Sequence, residues 1–67
     1  MYQSTEYECD LWQGVAVFTR LSDGACGSIA LKRNGRNATE SMLKSDVKKY
    51  GAEKALATYA KLVTAWQ

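Results

Sequence analysis

Seven carboxylates, two thiols and a set of hydroxyls are all this chain offers for acid–base or nucleophilic work, because it contains no histidine. Histidine titrates near neutral pH without help and is the commonest nitrogen ligand for metals, so its absence removes the usual route to both chemistries. Two groupings of the remaining residues could still react or bind ions. Cys26 stands between glycines in Gly24-Ala25-Cys26-Gly27-Ser28, a setting some nucleophilic thiols use. A nucleophilic thiolate needs a depressed pKa and a paired base, so Cys26 reads as a packed thiol on a strand instead. The same glycine spacing is too short and too poor in lysine to form a phosphate loop. Glu6, Glu8 and Asp10 alternate, which would set three carboxylates on one face of a strand. Hard cations usually draw ligands from a loop that wraps them, so this row reads as a wet strand face whose like charges discourage stray sheet pairing. The sequence therefore assigns no catalytic residue, no metal site and no cofactor.

Binding is a better match to the residue types. Residues 1–23 hold Glu6, Glu8, Asp10 and Asp23 against Arg20, a net of −3. Residues 24–67 hold eight lysines and arginines against Glu40, Asp46 and Glu53, a net of +5. Lys32, Arg33 and Arg36 lead into a helix on which Lys44 and Lys48 lie one turn apart, opposite its apolar side. Such polarity steers an acidic partner, either a protein surface or a nucleic acid. An overall charge of +2 falls short of the footprint expected of a DNA-binding domain. A helix-turn-helix around Tyr50-Gly51 is also disfavoured, because the second helix turns only Lys54, Thr58, Lys61 and small alanines outward. Trp12, Val15 and Val17 form the other candidate contact. They fall on the sheet face directed away from the helices, where an aromatic beside valines is the composition of a binding hot spot or of a homodimer interface.

The elements that must position these groups follow from periodicity. Glu6 to Leu11 alternates polar and apolar, Val15 to Leu21 is rich in β-branched and aromatic types, and Cys26 to Arg33 returns as a third strand. Trp12-Gln13-Gly14 suits a bend or bulge. Asp23-Gly24 suits a two-residue type I′ hairpin, which would set Phe18 opposite Ile29 and Ala16 opposite Leu31, with Val15 and Val17 beside Lys32 and Ala30 on the other face. Asn34-Gly35 turns the chain out of the sheet, and Asn37 with Glu40 resembles a capping pair. Beyond it, Leu43, Val47 and Tyr50 share one helical side, whereas Ala52, Leu56, Tyr59 and Val63 share another, with Leu62 and Trp66 on its edge. On one straight rod those two stripes would point roughly 150–180° apart. Two helices folded back at Gly51 bury both, with Gly51 in a left-handed C′ position and the second helix running to the C-terminus. The expected fold is α+β, a three-stranded antiparallel sheet followed by a C-terminal helical pair in the order βββαα.

Sixty-seven residues with 46% apolar content suit one small domain over the whole length, 1–67. Met1-Tyr2-Gln3-Ser4-Thr5-Glu6 has neither a basic leader nor an apolar run, so the expected location is cytoplasmic and Cys9 and Cys26 are expected reduced. The sequon at Asn37-Ala38-Thr39 is then coincidental. Together these features predict a non-enzymatic protein that occupies the surface of another macromolecule. Its composition suits a regulator or inhibitor of a host protein carried by a phage or mobile element. The apolar contact would be Trp12, Val15 and Val17, with Lys32, Arg33, Arg36, Lys44 and Lys48 steering an acidic protein. The alternative is a nucleic-acid accessory protein using the basic half.

Overall fold

Alternation and tight turns build an antiparallel meander in the computed structural model, which describes every residue from Met1 to Gln67. Its strands are β1 (Tyr2–Gln3), β2 (Tyr7–Trp12), β3 (Val15–Arg20) and β4 (Cys26–Ile29), hydrogen-bonded in that order. A separate hairpin, β5 (Lys32–Arg33) and β6 (Arg36–Asn37), precedes α1 (Thr39–Tyr50) and α2 (Ala52–Ala60). The class is α+β as expected, a sheet followed by two helices packed on it. The sheet has a fourth strand, β1, which two residues are too few to announce by alternation. Glu6 lies outside β2, so only Glu8 and Asp10 of the acidic row belong to a strand.

Register explains the core. Cys9 faces Phe18, Leu11 faces Ala16, and across the next ladder Ala16 faces Ile29 while Phe18 faces Gly27. The β3–β4 pairing is therefore displaced by two residues from the expected one, which keeps every side chain on its expected face. The cause is the connection. Asp23-Gly24 is not a two-residue turn but the end of a four-residue loop, closed by Gly24 N–H to Arg20 O (2.7 Å) and Arg20 N–H to Ala25 O (2.7 Å). Asp23 accepts from the Arg20 guanidinium at 2.8 and 3.0 Å and from Ala25 N–H at 3.1 Å. The Arg20 contact, then the amide, holds its carboxyl down at about 2. True two-residue turns with positive φ at both centres occur instead at Gln13-Gly14 (48° and 81°) and Asn34-Gly35 (54° and 76°). Gln13-Gly14 is thus a hairpin and not a bulge.

The third strand breaks at Ala30-Leu31, and the break is satisfied by Thr39. This fully buried hydroxyl accepts from Leu31 N–H at 2.8 Å, as a strand carbonyl would, while Leu31 O accepts from Ala38 N–H at 2.8 Å and lies 3.4 Å from the same hydroxyl. Asn37 initiates α1 one residue earlier than a standard N-cap: its Oδ1 accepts from Thr39 N–H (3.1 Å), while its Nδ2 donates to Gly14 O (2.6 Å). Glu40 does not reach back; it lies 3.7 Å from Lys44.

Helix α1 covers β3, and α2 covers β1 and β2. Leu43, Leu56, Tyr59, Ala60 and Val63 complete a core with Cys9, Ala16, Phe18 and Ile29. A single residue joins the helices. Gly51 N–H donates to Val47 O (2.9 Å) to end α1, and Gly51 O accepts from Ala55 N–H (3.0 Å) to begin α2. Its dihedrals, φ 88° and ψ 156°, are positive in φ as expected but extended in ψ, so the residue is not in the left-handed helical cap conformation. Tyr50 is half exposed, contrary to its place on the apolar stripe, and sits between the ammonium groups of Lys49 and Lys54.

Helix α2 stops at Ala60, well short of the C-terminus. Residues 63–67 return across β4 as an extended tail, and Gln67 exchanges two 2.8 Å backbone bonds with Cys26. Trp66 leaves the helix edge altogether. It stacks on Tyr7 (5.9 Å between centroids) beneath the Arg20 guanidinium (4.8 Å). Gly27 makes this possible, since a Cβ there would lie 2.2 Å from Val63 Cγ1.

Two stability outcomes follow from the helical pair. Gly51→Ala meets no neighbour within 4 Å but forces a side chain into a glycine-only backbone region. It should cost about 1–3 kcal/mol in urea unfolding. The Tyr59 hydroxyl donates to Asp46 across the two helices; burial and then this bond push its phenol up to about 12 from 10.0. The native state keeps that proton while the unfolded chain loses it, so stability falls as pH rises from about 10 to 12. Tyr59→Phe should cost about 1–2 kcal/mol near neutral pH and flatten this alkaline decline, as read from urea midpoints across the pH range.

Candidate binding surfaces

The meander has two unlike faces because residues alternate along each strand. One face, bearing Tyr2, Tyr7, Cys9, Leu11, Ala16, Phe18 and Ile29, is covered by the helices and the tail. The opposite, outer face bears Glu8, Asp10 and Trp12 on β2, Val15, Val17 and Thr19 on β3, and Cys26 and Ser28 on β4. Trp12 is directly opposite Val15, and Val17 lies between Asp10 and Ser28. The three residues expected to form an apolar contact are therefore together. Trp12 is 65% exposed, and both valines are partly exposed. Ala30 and Lys32, expected beside these valines, lie beyond the end of β4.

The basic candidates form a different surface. Lys32, Arg33 and Arg36 come together on the β5–β6 hairpin, where Arg33 pairs directly with Arg36, and all are exposed. None of the three forms an ion pair, and neither does Lys48; Lys44 has only its exposed contact with Glu40. The Asn37–Gly14 hydrogen bond ties the root of this hairpin to the turn that follows Trp12, so the two groups meet at one end of the sheet. An open depression there is lined by Gly14, Asn37, Ala38, Glu40, Ser41 and Lys44. The charges interleaved with the apolar strip are acidic. Within the four strands the sole cation is Arg20, which faces the covered side.

Sequence reasoning missed Thr39, Trp66 and Glu53 as positioning residues. Glu53, on the first turn of α2, accepts from Thr5 N–H (2.6 Å) and Thr5 Oγ1 (2.9 Å), fastening the β1–β2 loop to the helix. A Thr-rich or Glu-rich composition carries no signal for such long-range bonds. The two cysteines lie on opposite faces of the sheet, so they cannot bridge within one chain. No helix is long and apolar enough to cross a membrane.

No family model, curated protein or solved structure matches this chain. The functional reading therefore rests on its own geometry.

The thiols supply a direct check on the two faces. Cys9 is 1% exposed, and burial, then the Asp10 charge, pushes it up to about 11, whereas Cys26 is exposed. Ellman's reagent at pH 8 should modify about one thiol per native chain rapidly and the second only after denaturation; two fast thiols would place Cys9 outside the core.

Proposed function

We propose that this chain is a non-catalytic binding protein that works by occupying the surface of another macromolecule. The observation that carries the reading is Trp12, exposed on a sheet face that no other element covers and set directly against Val15 with Val17 beside it. A large aromatic flanked by β-branched residues offers much apolar area at little conformational cost, which is the make-up of interface hot spots. The protein acts sterically, in the cytoplasm with both cysteines as thiols, as a regulator or inhibitor of the kind phages and mobile elements encode. An acidic protein surface would be met by Lys32, Arg33 and Arg36 on the adjoining hairpin, with Lys44 and Lys48 along α1, because apart from the exposed Lys44–Glu40 contact these cations have no ion-pair partner within the chain.

That freedom also supports a second reading, a nucleic-acid accessory role in which the hairpin lies on phosphates. It requires affinity for DNA or RNA that falls steeply with salt and drops when Arg33 and Arg36 are neutralised.

The deciding experiment is capture of a stoichiometric protein partner by the intact chain, repeated with Trp12→Ala and with Arg33→Gln/Arg36→Gln. The sheet-face reading expects Trp12→Ala to weaken capture about 10- to 30-fold, the effect of losing a hot spot, with an unchanged circular dichroism spectrum. Retention of full affinity by Trp12→Ala, or recovery of nucleic acid in place of protein, overturns it.

A further inference from the structure

We infer that the outer sheet face receives an extended protein segment presenting a lysine or arginine beside a branched aliphatic residue. This rests on the reading of that face as the binding surface and adds the chemistry of what it binds. Glu8 and Asp10 stand in one row with Trp12 along β2, and Asp10 is directly opposite Val17. Neither carboxylate makes a hydrogen bond to a side chain or an ion pair within the chain. The residues of the four strands that share this face include no cation to answer them.

Successive same-face residues on a strand are spaced by roughly 6.5–7 Å, and neighbouring strands by about 4.8 Å. A cationic side chain laid over β2 between Asp10 and Trp12 therefore has a carboxylate on one side and an indole on the other, with Glu8 one same-face step beyond Asp10. Both contacts favour a guanidinium or ammonium group. Where the segment runs obliquely from β2 to β3, the aliphatic residue two positions on falls over Val15 and Val17, which the chain leaves partly exposed. The side chains of an extended segment alternate at the same period as the face it covers, so the match requires no helix in the partner.

Charge separates this occupant from the others. A second copy packed face to face brings two further carboxylates and no cation. A nucleic acid or an acidic peptide is repelled by the row on β2 and is drawn to the β5–β6 hairpin instead. The two surfaces thus take ligands of opposite sign.

The test is a titration of the isotopically labelled full chain, followed by backbone-amide and indole NMR shifts. Two seven-residue peptides are compared, Arg-Ser-Val-Ser-Arg-Ser-Val and Glu-Ser-Val-Ser-Glu-Ser-Val, each of which sets its charged residue and its valine two positions apart on one face. The arginine peptide should shift Asp10, Trp12, Val15 and Val17 and bind there about 3- to 30-fold more tightly than the glutamate peptide, given two ion pairs at an exposed site. Glu8→Gln/Asp10→Asn, both at solvent-facing positions, should abolish that preference, whereas Arg33→Gln/Arg36→Gln should leave it intact. Equal binding of the two peptides as read from Asp10, Trp12, Val15 and Val17 overturns the inference while leaving the sheet face as the contact. Shifts confined to the hairpin, no shifts at millimolar peptide, or concentration-dependent shifts of the same residues without peptide also overturn it. The Trp12→Ala capture result is read independently, so loss of the charge preference and loss of the binding face remain distinct.

Discussion

One residue, held where only glycine is at ease, determines how this chain makes a core. The apolar sides of residues 43–47 and 52–63 cannot face the same sheet along one rod, so the chain must reverse between them within very little length. Gly51 achieves this with both of its own backbone groups paired: its amide closes one helix and its carbonyl opens the next. The Tyr59–Asp46 bond then spans the helices beyond the turn, and Glu53 fastens the second helix to the β1–β2 loop. Each later feature, including which lysines remain in water, depends on this reversal.

The two faces of the sheet inherit opposite tasks. The covered face is apolar throughout its middle and closes at one end with Arg20, Trp66 and Tyr7 stacked together. The uncovered face mixes two carboxylates with an exposed indole and two valines. The cationic hairpin projects from the end of the sheet where the Gln13-Gly14 turn lies, tethered by Asn37. Segregation of charge along the chain therefore becomes segregation in space, and a partner that spans both surfaces must itself carry charges of both signs.

Local chemistry was the legible part of the sequence. Period-two alternation placed β2 and β3, the change of helical phase placed the boundary at Gly51, and parity kept Phe18, Ala16 and Ile29 on one side even though the β3–β4 pairing differs by two residues. The loop between β3 and β4 is longer than the Asp23-Gly24 dipeptide suggests because Asp23 engages Arg20 and Ala25. Long-range bonds left no trace at all. Nothing about Thr39 as a residue type says that it will stand in for a strand beside Leu31, and nothing about Trp66 distinguishes a helical edge from a stacked tail. The apolar strip at Trp12, Val15 and Val17 was legible from parity alone. Its acidic neighbours were visible too, but their significance needed the register that sets Asp10 against Val17.

The returning tail has a kinetic consequence. Residues 63–67 lie across Gly27 and pair with Cys26, some forty positions earlier, so the contacts that seal the covered face are among the most distant in the chain. During vectorial synthesis the meander emerges first and waits, with Phe18 and Tyr7 unsheltered at one end, until Trp66 clears the ribosomal tunnel. Closure of the covered face therefore waits on contacts distant in sequence, and the sheet is at its most adhesive before they form.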